Sequence, residues 1–261
     1  MDWTVVIPSA DAENLRCALE AIVRTHPQAD PRRIIVVDDG ACAQGGDRFR
    51  GDHWFGGVRW IDGVKPFVFA RNVNRGIAAS PESHVFIIMG DDVEPLTIGA
   101  FDVLAQHLSD KVSCGIVSPG VLGVIGNERQ RFTTRATLID EPQKLAFVCV
   151  AISRRVWERV GVLDERFVGY GCEDDDYSWR TRRAGYSLSI LPSIAVRHDG
   201  TLPSTFRSRP DQQLLFQYNR ELFLRKWKMS NATPAPTEAL AQATPPGSVP
   251  SPAPAPSQTP T

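Results

Sequence analysis

Two apolar runs in this chain end in paired aspartates, and that repetition limits the fold more than any other feature. Ile34-Ile-Val-Val37 runs into Asp38-Asp39-Gly40, and Val85-Phe-Ile-Ile-Met89 runs into Gly90-Asp91-Asp92. Each run is short, apolar at successive positions and closed by a breaker, which predicts a strand buried on both faces. Carboxylates at the carboxyl ends of buried strands sit where α/β sheets bind ligands. Adjacent carboxylates repel unless a cation lies between them. Hard oxygen ligands suit Mg²⁺ or Mn²⁺, with substrate phosphates completing the shell. A solvated acidic turn accounts for the same residues at this point, because Asp-Asp is common in turns.

The rest of the chain supplies the helices such a sheet needs. Trp3 to Ile7 reads as a first strand ending at Pro8-Ser9, and a helix follows with Leu15, Ala18, Leu19 and Ile22 on one face, capped by Ser9 or Asp11. Val58 to Ile61 reads as a strand after a Gly- and Asp-rich loop, and Phe69, Val73 and Ile77 fall at helical spacing. Arg71 and Asn72, near the start of that helix, are positioned to face the strand ends. Pro95 is read as the first residue of a helix running from Leu96 to about Leu108. Further strands are expected at Gly115–Ser118, Leu145–Ser153, Ser187–Leu191 and Ile194–His198, with a hairpin across Val121–Ile139 turning at Gly126-Asn127. Arg154–Val160 reads as a short helix. Gln212 to Lys228 reads as a packed helix with Leu215, Tyr218, Leu222 and Trp227 on one face. The strand–helix alternation predicts an α/β fold, a mainly parallel sheet flanked by helices.

A second acidic centre, Glu173-Asp-Asp-Asp176, follows Gly169-Tyr-Gly-Cys172. The helix macrodipole favours carboxylates in a first turn. Four in succession repel, and two is what the dipole account covers comfortably. His198 closes the last apolar segment; read alone, it is a surface or capping histidine.

Composition narrows the function classes. The chain has 261 residues, 42% of them hydrophobic, and a formal net charge of −1, so it builds a sizeable core and carries no nucleic-acid footprint. The five cysteines, Cys17, Cys42, Cys114, Cys149 and Cys172, form no C-x-x-C pair, so neither a disulfide framework nor a cysteine zinc site is signalled. The first residues carry no signal-peptide pattern, and no apolar run approaches the roughly 20 residues a membrane helix needs. The expectation is a cytoplasmic chain with one folded domain, 1–228, and a disordered tail, 229–261, rich in Pro, Ala, Ser and Thr.

Taken in order, these motifs resemble those of GT-A fold glycosyltransferases of the family-2 type, over roughly Trp3 to Lys228. Val36-Val-Asp-Asp-Gly40 is similar to the strand-end motif that contacts the donor base. Gly90-Asp91-Asp92 is similar to the D-x-D motif, with glycine at its first position. Gly169-Tyr-Gly-Cys-Glu-Asp-Asp-Asp resembles the Gly-Trp-Gly-Gly-Glu-Asp-Asp-Asp stretch of the β-1,4-galactosyltransferases. Phe67 to Gly76 resembles the Phe-Asn-Arg…Asn-x-Gly segment of that group.

The resemblance implies an Mn²⁺- or Mg²⁺-dependent transferase of the hexosyl or related class. It would move a sugar from a nucleotide-sugar donor to an acceptor hydroxyl on a glycan, a protein, a lipid-linked sugar or another molecule. It assigns Asp92 and His198 to the metal, Pro8, Asp38, Asp39, Arg71 and Asp91 to the donor, Glu173 to the acceptor, and Asp174 to the catalytic base. A base on the acceptor side implies inversion at the anomeric carbon. Arg207 and Arg209 are read either as a diphosphate clamp or as a solvated loop. Three rivals are a nucleotidyltransferase, opposed by the absence of glycine in Ile7-Pro8-Ser9-Ala10; a non-catalytic sugar- or nucleotide-binding module, opposed by the intact Glu173-Asp174 pair; and an interaction protein acting through its Pro-rich tail, opposed by the lack of charge beside the prolines, which reads as a linker or spacer.

Overall fold

The computed structural model describes residues 2–41, 43, 55–80, 82–198 and 210–229. Among the described residues, nine strands form one mixed sheet. The first four are β1 (Trp3–Ser9), β2 (Ile34–Asp38), β3 (Arg59–Asp62) and β4 (Val85–Met89). Then come β5 (Val93–Pro95), β6 (Cys114–Gly123), β7 (Ile139–Asp140), β8 (Cys149–Ser153) and β9 (Ser187–His198). The order is β3-β2-β1-β4-β8-β6-β9-β5, with β7 against β9.

The strands β3, β2, β1 and β4 are parallel, as the alternation predicts. The sheet then extends through β8, antiparallel to both β4 and β6, and through β9, parallel to β6 and antiparallel to β5 and β7. These directions put the carboxyl ends of β1, β2, β4, β6 and β9 on one edge of the sheet, together with the entry to β8.

Side chains alternate along the strands, so successive residues feed two apolar layers. Val5, Ile7, Val36 and Ile87 pack with α1 (Ala12–Thr25) and α3 (Ala100–Asp110). Val6, Val37, Phe86 and Ile88 pack with α2 (Phe69–Ala78), α4 (Arg154–Val160) and α5 (Glu173–Arg183). Each of these fully buried aliphatic or aromatic side chains contributes about 1.5–3 kcal/mol by leaving water. Asp11 caps α1 by accepting from Glu13 N at 3.0 Å and Asn14 N at 2.8 Å. On the α2 face, Gly76 lets the helix approach β1 closely, since a Cβ there would lie 2.2 Å from Val6 Cγ1.

Several elements differ from expectation. Pro95 ends β5 rather than opening a helix: Val93–Pro95 pairs antiparallel with His198–Val196 at the edge of the sheet, where proline's missing donor costs nothing. The next two donors, Leu96 N and Thr97 N, go to Ala195 O at 2.9 and 3.2 Å, which delays α3 to Ala100. No hairpin forms across Val121–Ile139. Asn127 instead caps a 3-10 turn at Glu128–Gln130, and Ile139–Asp140 pairs with Ile190 and Ser189 of β9.

Leu145, Phe147 and Val148 are buried but precede β8, because side chains hold the segment. Leu145 N donates to Ser178 Oγ at 3.2 Å and Ala146 N to Gln130 Oε1 at 2.7 Å. The two expected last strands are one strand, β9, with a register shift opposite Gly120, where a Cβ would meet Pro192 O at 2.3 Å. The last helix is α6 (Gln212–Lys226); its buried residues are Leu215, Asn219 and Phe223. The expected tail beyond Met229 lies outside the described residues.

Candidate active site

Register explains how the first acidic centre is assembled. Val93 pairs with His198, so the residue before Val93 arrives beside the histidine. Asp92 Oδ2 lies 3.2 Å from His198 Nε2. His198 Nδ1 lies 2.6 Å from Val124 O, a geometry in which Nδ1–H donates to the carbonyl; Nε2 then faces Asp92 either as a donor on a protonated ring or with a lone pair that a cation between the two would take. Gly90 is required beside this pair: a Cβ there would lie 2.8 Å from Asp92 Oδ1 and 3.3 Å from Val93 Cγ2. An aspartate at that position would displace Asp92, which gives a physical reason for the glycine in this D-x-D-like motif.

Asp91 is held differently. Ser9 Oγ–H donates to Asp91 Oδ2 at 2.8 Å, and the N–H groups of Ala10 and Asp11 also reach its carboxylate. Burial, and then the Asp92 charge, push its pKa up to about 7. Asp38 caps Gly40 N at 3.0 Å at the end of β2. Asp39 is buried, and its carboxylate pairs with Lys65 Nζ at 2.9 Å; burial raises its pKa while Lys65 opposes the rise. Pro8, opposite Val37, lies one residue before the end of β1. Arg71 sits in the first turn of α2 and pairs with Glu165 at 3.3 Å.

The second acidic centre is the first turn of α5, and its four carboxylates have four different settings. Glu173 is buried; its Oε2 accepts from Gly171 N at 2.6 Å, while Oε1 has no hydrogen-bond partner among the described residues. Burial, and then the neighbouring Asp174 charge, raise the Glu173 pKa well above the ordinary carboxyl value. Asp174 accepts from Asp175 N at 2.8 Å and from the backbone of Phe147. Burial, with the Asp175 charge next, pushes its pKa up to about 6. Asp175 pairs with Lys144 at 2.8 Å. Asp176 is fully buried and fastens α6: Lys226 Nζ lies 2.8 Å from its Oδ1, and Trp227 Nε1 donates to the same oxygen at 3.0 Å. Arg180 completes its shell at 2.9 Å.

The two centres share the sheet edge. Gly90 N donates to Val148 O at 3.1 Å, and the adjoining Phe147 supplies the backbone donor to Asp174. The entry to β8 therefore lies between the metal-type pair and the raised carboxyl. Sequence reasoning missed Lys65 and Lys144, which balance the acidic groups here, and the role of Ser9 toward Asp91. Isolated lysines and a serine carry no pattern that marks them. Arg207 and Arg209 lie outside the described residues.

Among the described residues no cluster of three or more metal-ligating side chains occurs. Asp92 offers an oxygen of the kind Mn²⁺ and Mg²⁺ take, and His198 an imidazole nitrogen, which Mn²⁺ accepts more readily than the harder Mg²⁺; substrate phosphates and water would supply the remaining positions.

Comparisons with known proteins agree with this architecture. GalNAc-T7, solved with UDP, GalNAc and Mn²⁺, superposes with a TM-score of 0.65 at 14% identity, over 93% of this chain and 53% of that one. The mannosyltransferase PcManGT of Pyrobaculum calidifontis, solved with GDP-Man and Mn²⁺, gives 0.61 at 15% identity, over 89% and 66% of the two chains. The chain has the GT-A glycosyltransferase fold. TarS of S. aureus (residues 1–349), in complex with UDP-GlcNAc, gives 0.62 at 12% identity, over 89% and 68%. At these identities the likeness is one of fold. No protein-family pattern matches the chain. An uncharacterised protein of Sinorhizobium fredii, y4gI, is 23% identical over 91% of this chain, which spans 29% of that protein's length. No helix among the described residues is long and apolar enough to cross a membrane.

Proposed function

We propose that this GT-A fold protein is a metal-dependent glycosyltransferase that moves a sugar from a nucleoside-diphosphate donor to an acceptor hydroxyl. The observation that carries the reading is the pairing of Asp92 Oδ2 with His198 Nε2 at 3.2 Å, on the edge that also carries the raised carboxyl of Asp174. In this reading the donor site is of the family-2 type, and the α5 start acts as the acidic motif of the β-1,4-galactosyltransferases does. Asp38, Asp39 and Pro8 border the nucleoside, Asp91 borders the ribose, and Arg71 lies at the margin of the donor site. Asp92 and His198 hold a divalent ion, Mn²⁺ or Mg²⁺. That ion supplies charge neutralisation of the departing diphosphate.

The chain's own residues do the rest. Glu173 hydrogen-bonds the acceptor and orients the hydroxyl. Asp174 takes that hydroxyl's proton as its oxygen attacks the anomeric carbon, the bond to the diphosphate breaks, and the nucleoside diphosphate leaves. A carboxyl with a pKa near 6 is largely ionised at neutral pH and still basic enough to accept the proton. One displacement inverts the anomeric carbon.

The test is single-turnover transfer or donor hydrolysis by Asp174→Asn. The expected loss is roughly 10²–10⁴-fold in kcat with donor affinity unchanged. Near-normal turnover would remove Asp174 from the mechanism.

A further inference from the structure

The helix α6 contributes no group to the proposed reaction, yet its buried polar residue is spent entirely on the turn that leads into Glu173 and Asp174. Asn219 is fully buried. Its Oδ1 accepts from Val168 N at 2.9 Å, and its Nδ2 donates to Val168 O at 2.8 Å and to Tyr170 O at 3.3 Å. The turn is backbone of an unusual kind: Gly169, Gly171 and Cys172 have φ values of +62°, +116° and +69°. Such backbone cannot pair with itself in a regular ladder, so its polar groups need outside partners. Phe69 N takes Gly169 O at 2.8 Å from the other side, and Gly171 N is committed to Glu173 Oε2 at 2.6 Å. One turn earlier on α6, Phe216 lies against Gly171, its ring 3.0 Å from where a Cβ would stand.

We propose that Asn219 is a positioning residue for the acceptor side of the site. It fixes the 168–172 turn, and through Gly171 it sets the Glu173 carboxyl and the start of α5 that carries Asp174. The proposal rests on the transferase reading for its functional part. The chemistry demands this residue type. A donor and an acceptor must sit on one short head to satisfy an N–H and two carbonyls together. Aspartate would set a second oxygen against the two carbonyls, and alanine would leave all three backbone groups without partners. The far end of α6 is fastened independently, by Trp227 and Lys226 on Asp176. Trp227→Phe therefore loosens the far end of the helix at Asp176 while leaving Asn219's three hydrogen bonds to the turn in place, and serves as the matched control.

The half-buried Cys172 thiol, inside the turn, is the reporter. Its alkylation by iodoacetamide is followed by mass spectrometry of its peptide, on the full chain without added ligand. Asn219→Ala and Asn219→Asp should label Cys172 about tenfold faster than wild type, because the turn opens locally. Trp227→Phe should stay within about twofold of wild type even at an equal loss of Tm. With Mn²⁺ and whichever of UDP-GlcNAc or GDP-mannose the protein hydrolyses, Asn219→Ala should lose about 10²-fold in kcat, the cost of a misplacement near 1 Å, with donor Kd unchanged.

Folded Asn219→Ala that labels Cys172 at the wild-type rate would overturn the proposal. So would equal acceleration by Trp227→Phe. Should neither Asn219 variant fold, amide exchange in the unaltered protein decides: protection of the Val168 N–H supports the clamp, and exchange as fast as an exposed turn overturns it. Faster labelling in a protein whose wild type hydrolyses no sugar nucleotide would retract the transferase reading and leave Asn219's hold on the turn standing.

Discussion

Burial and the Asp175 charge hold the Asp174 pKa at about 6, against an ordinary value of 3.8. The folded protein therefore binds this proton more tightly than the unfolded chain does. Stability associated with it is present below the unfolded value and is lost as pH rises toward the folded one. Asp174→Asn removes that loss. Its Tm should exceed that of wild type at about pH 8, and the gap should close below about pH 4. A gap of equal size at both pH values would show that the carboxyl is not raised. The same ionisation should appear as an acid limb near pH 6 in the rate of transfer. Gly90 gives a second residue-scale test. A methyl there would stand 2.8 Å from Asp92 Oδ1, the mobile end of a side chain, so the fold should yield by moving Asp92. Gly90→Ala should keep Tm within a few degrees and weaken Mn²⁺-dependent donor binding about tenfold or more, about 1.4 kcal/mol. Unchanged binding would mean that Asp92 does not hold the ion.

Among the elements, α2 shows a packing constraint that helix propensity alone would misjudge. Replacing a helical glycine with alanine gains about 1 kcal/mol of propensity. At Gly76 the new Cβ would stand 2.2 Å from Val6 Cγ1 and 3.2 Å from Val37 Cγ2, inside two central strands. Overpacking of this kind costs about 1–3 kcal/mol, so Gly76→Ala should lower the urea midpoint. A higher midpoint would show that α2 does not lie tightly on β1 and β2. The parallel strands and α1 were legible because short apolar runs and 3.6-residue spacing are local signals. Pro95 was misread because its role depends on a partner strand about a hundred residues away. The face of α6 was misread for a related reason. Its centre is Asn219, and a polar residue at the middle of a buried stripe breaks the apolar pattern by which such faces are found.

At the scale of the whole molecule, the two acidic centres lie on one edge because the sheet reverses direction at β8 and returns β9 beside β5. The sequence shows each acidic cluster but not their shared edge, which depends on sheet order and register. His198 was unremarkable as a residue, and only the motif resemblance pointed to it; the pairing of Val93 with His198 supplies the physical reason it stands beside Asp92. Lys65 and Lys144 were illegible because a single lysine far from its partner leaves no pattern. Binding of a sugar nucleotide through Asp92 is what the proposed function requires most directly. Its measurement is titration of UDP-GlcNAc, UDP-GalNAc and GDP-mannose, each with Mn²⁺ and with EDTA, into wild type and Asp92→Ala. At least one donor should bind wild type in Mn²⁺, EDTA should abolish the binding, and Asp92→Ala, still folded, should not bind it. Equal binding by Asp92→Ala in Mn²⁺, or binding indifferent to EDTA, would contradict the proposed function.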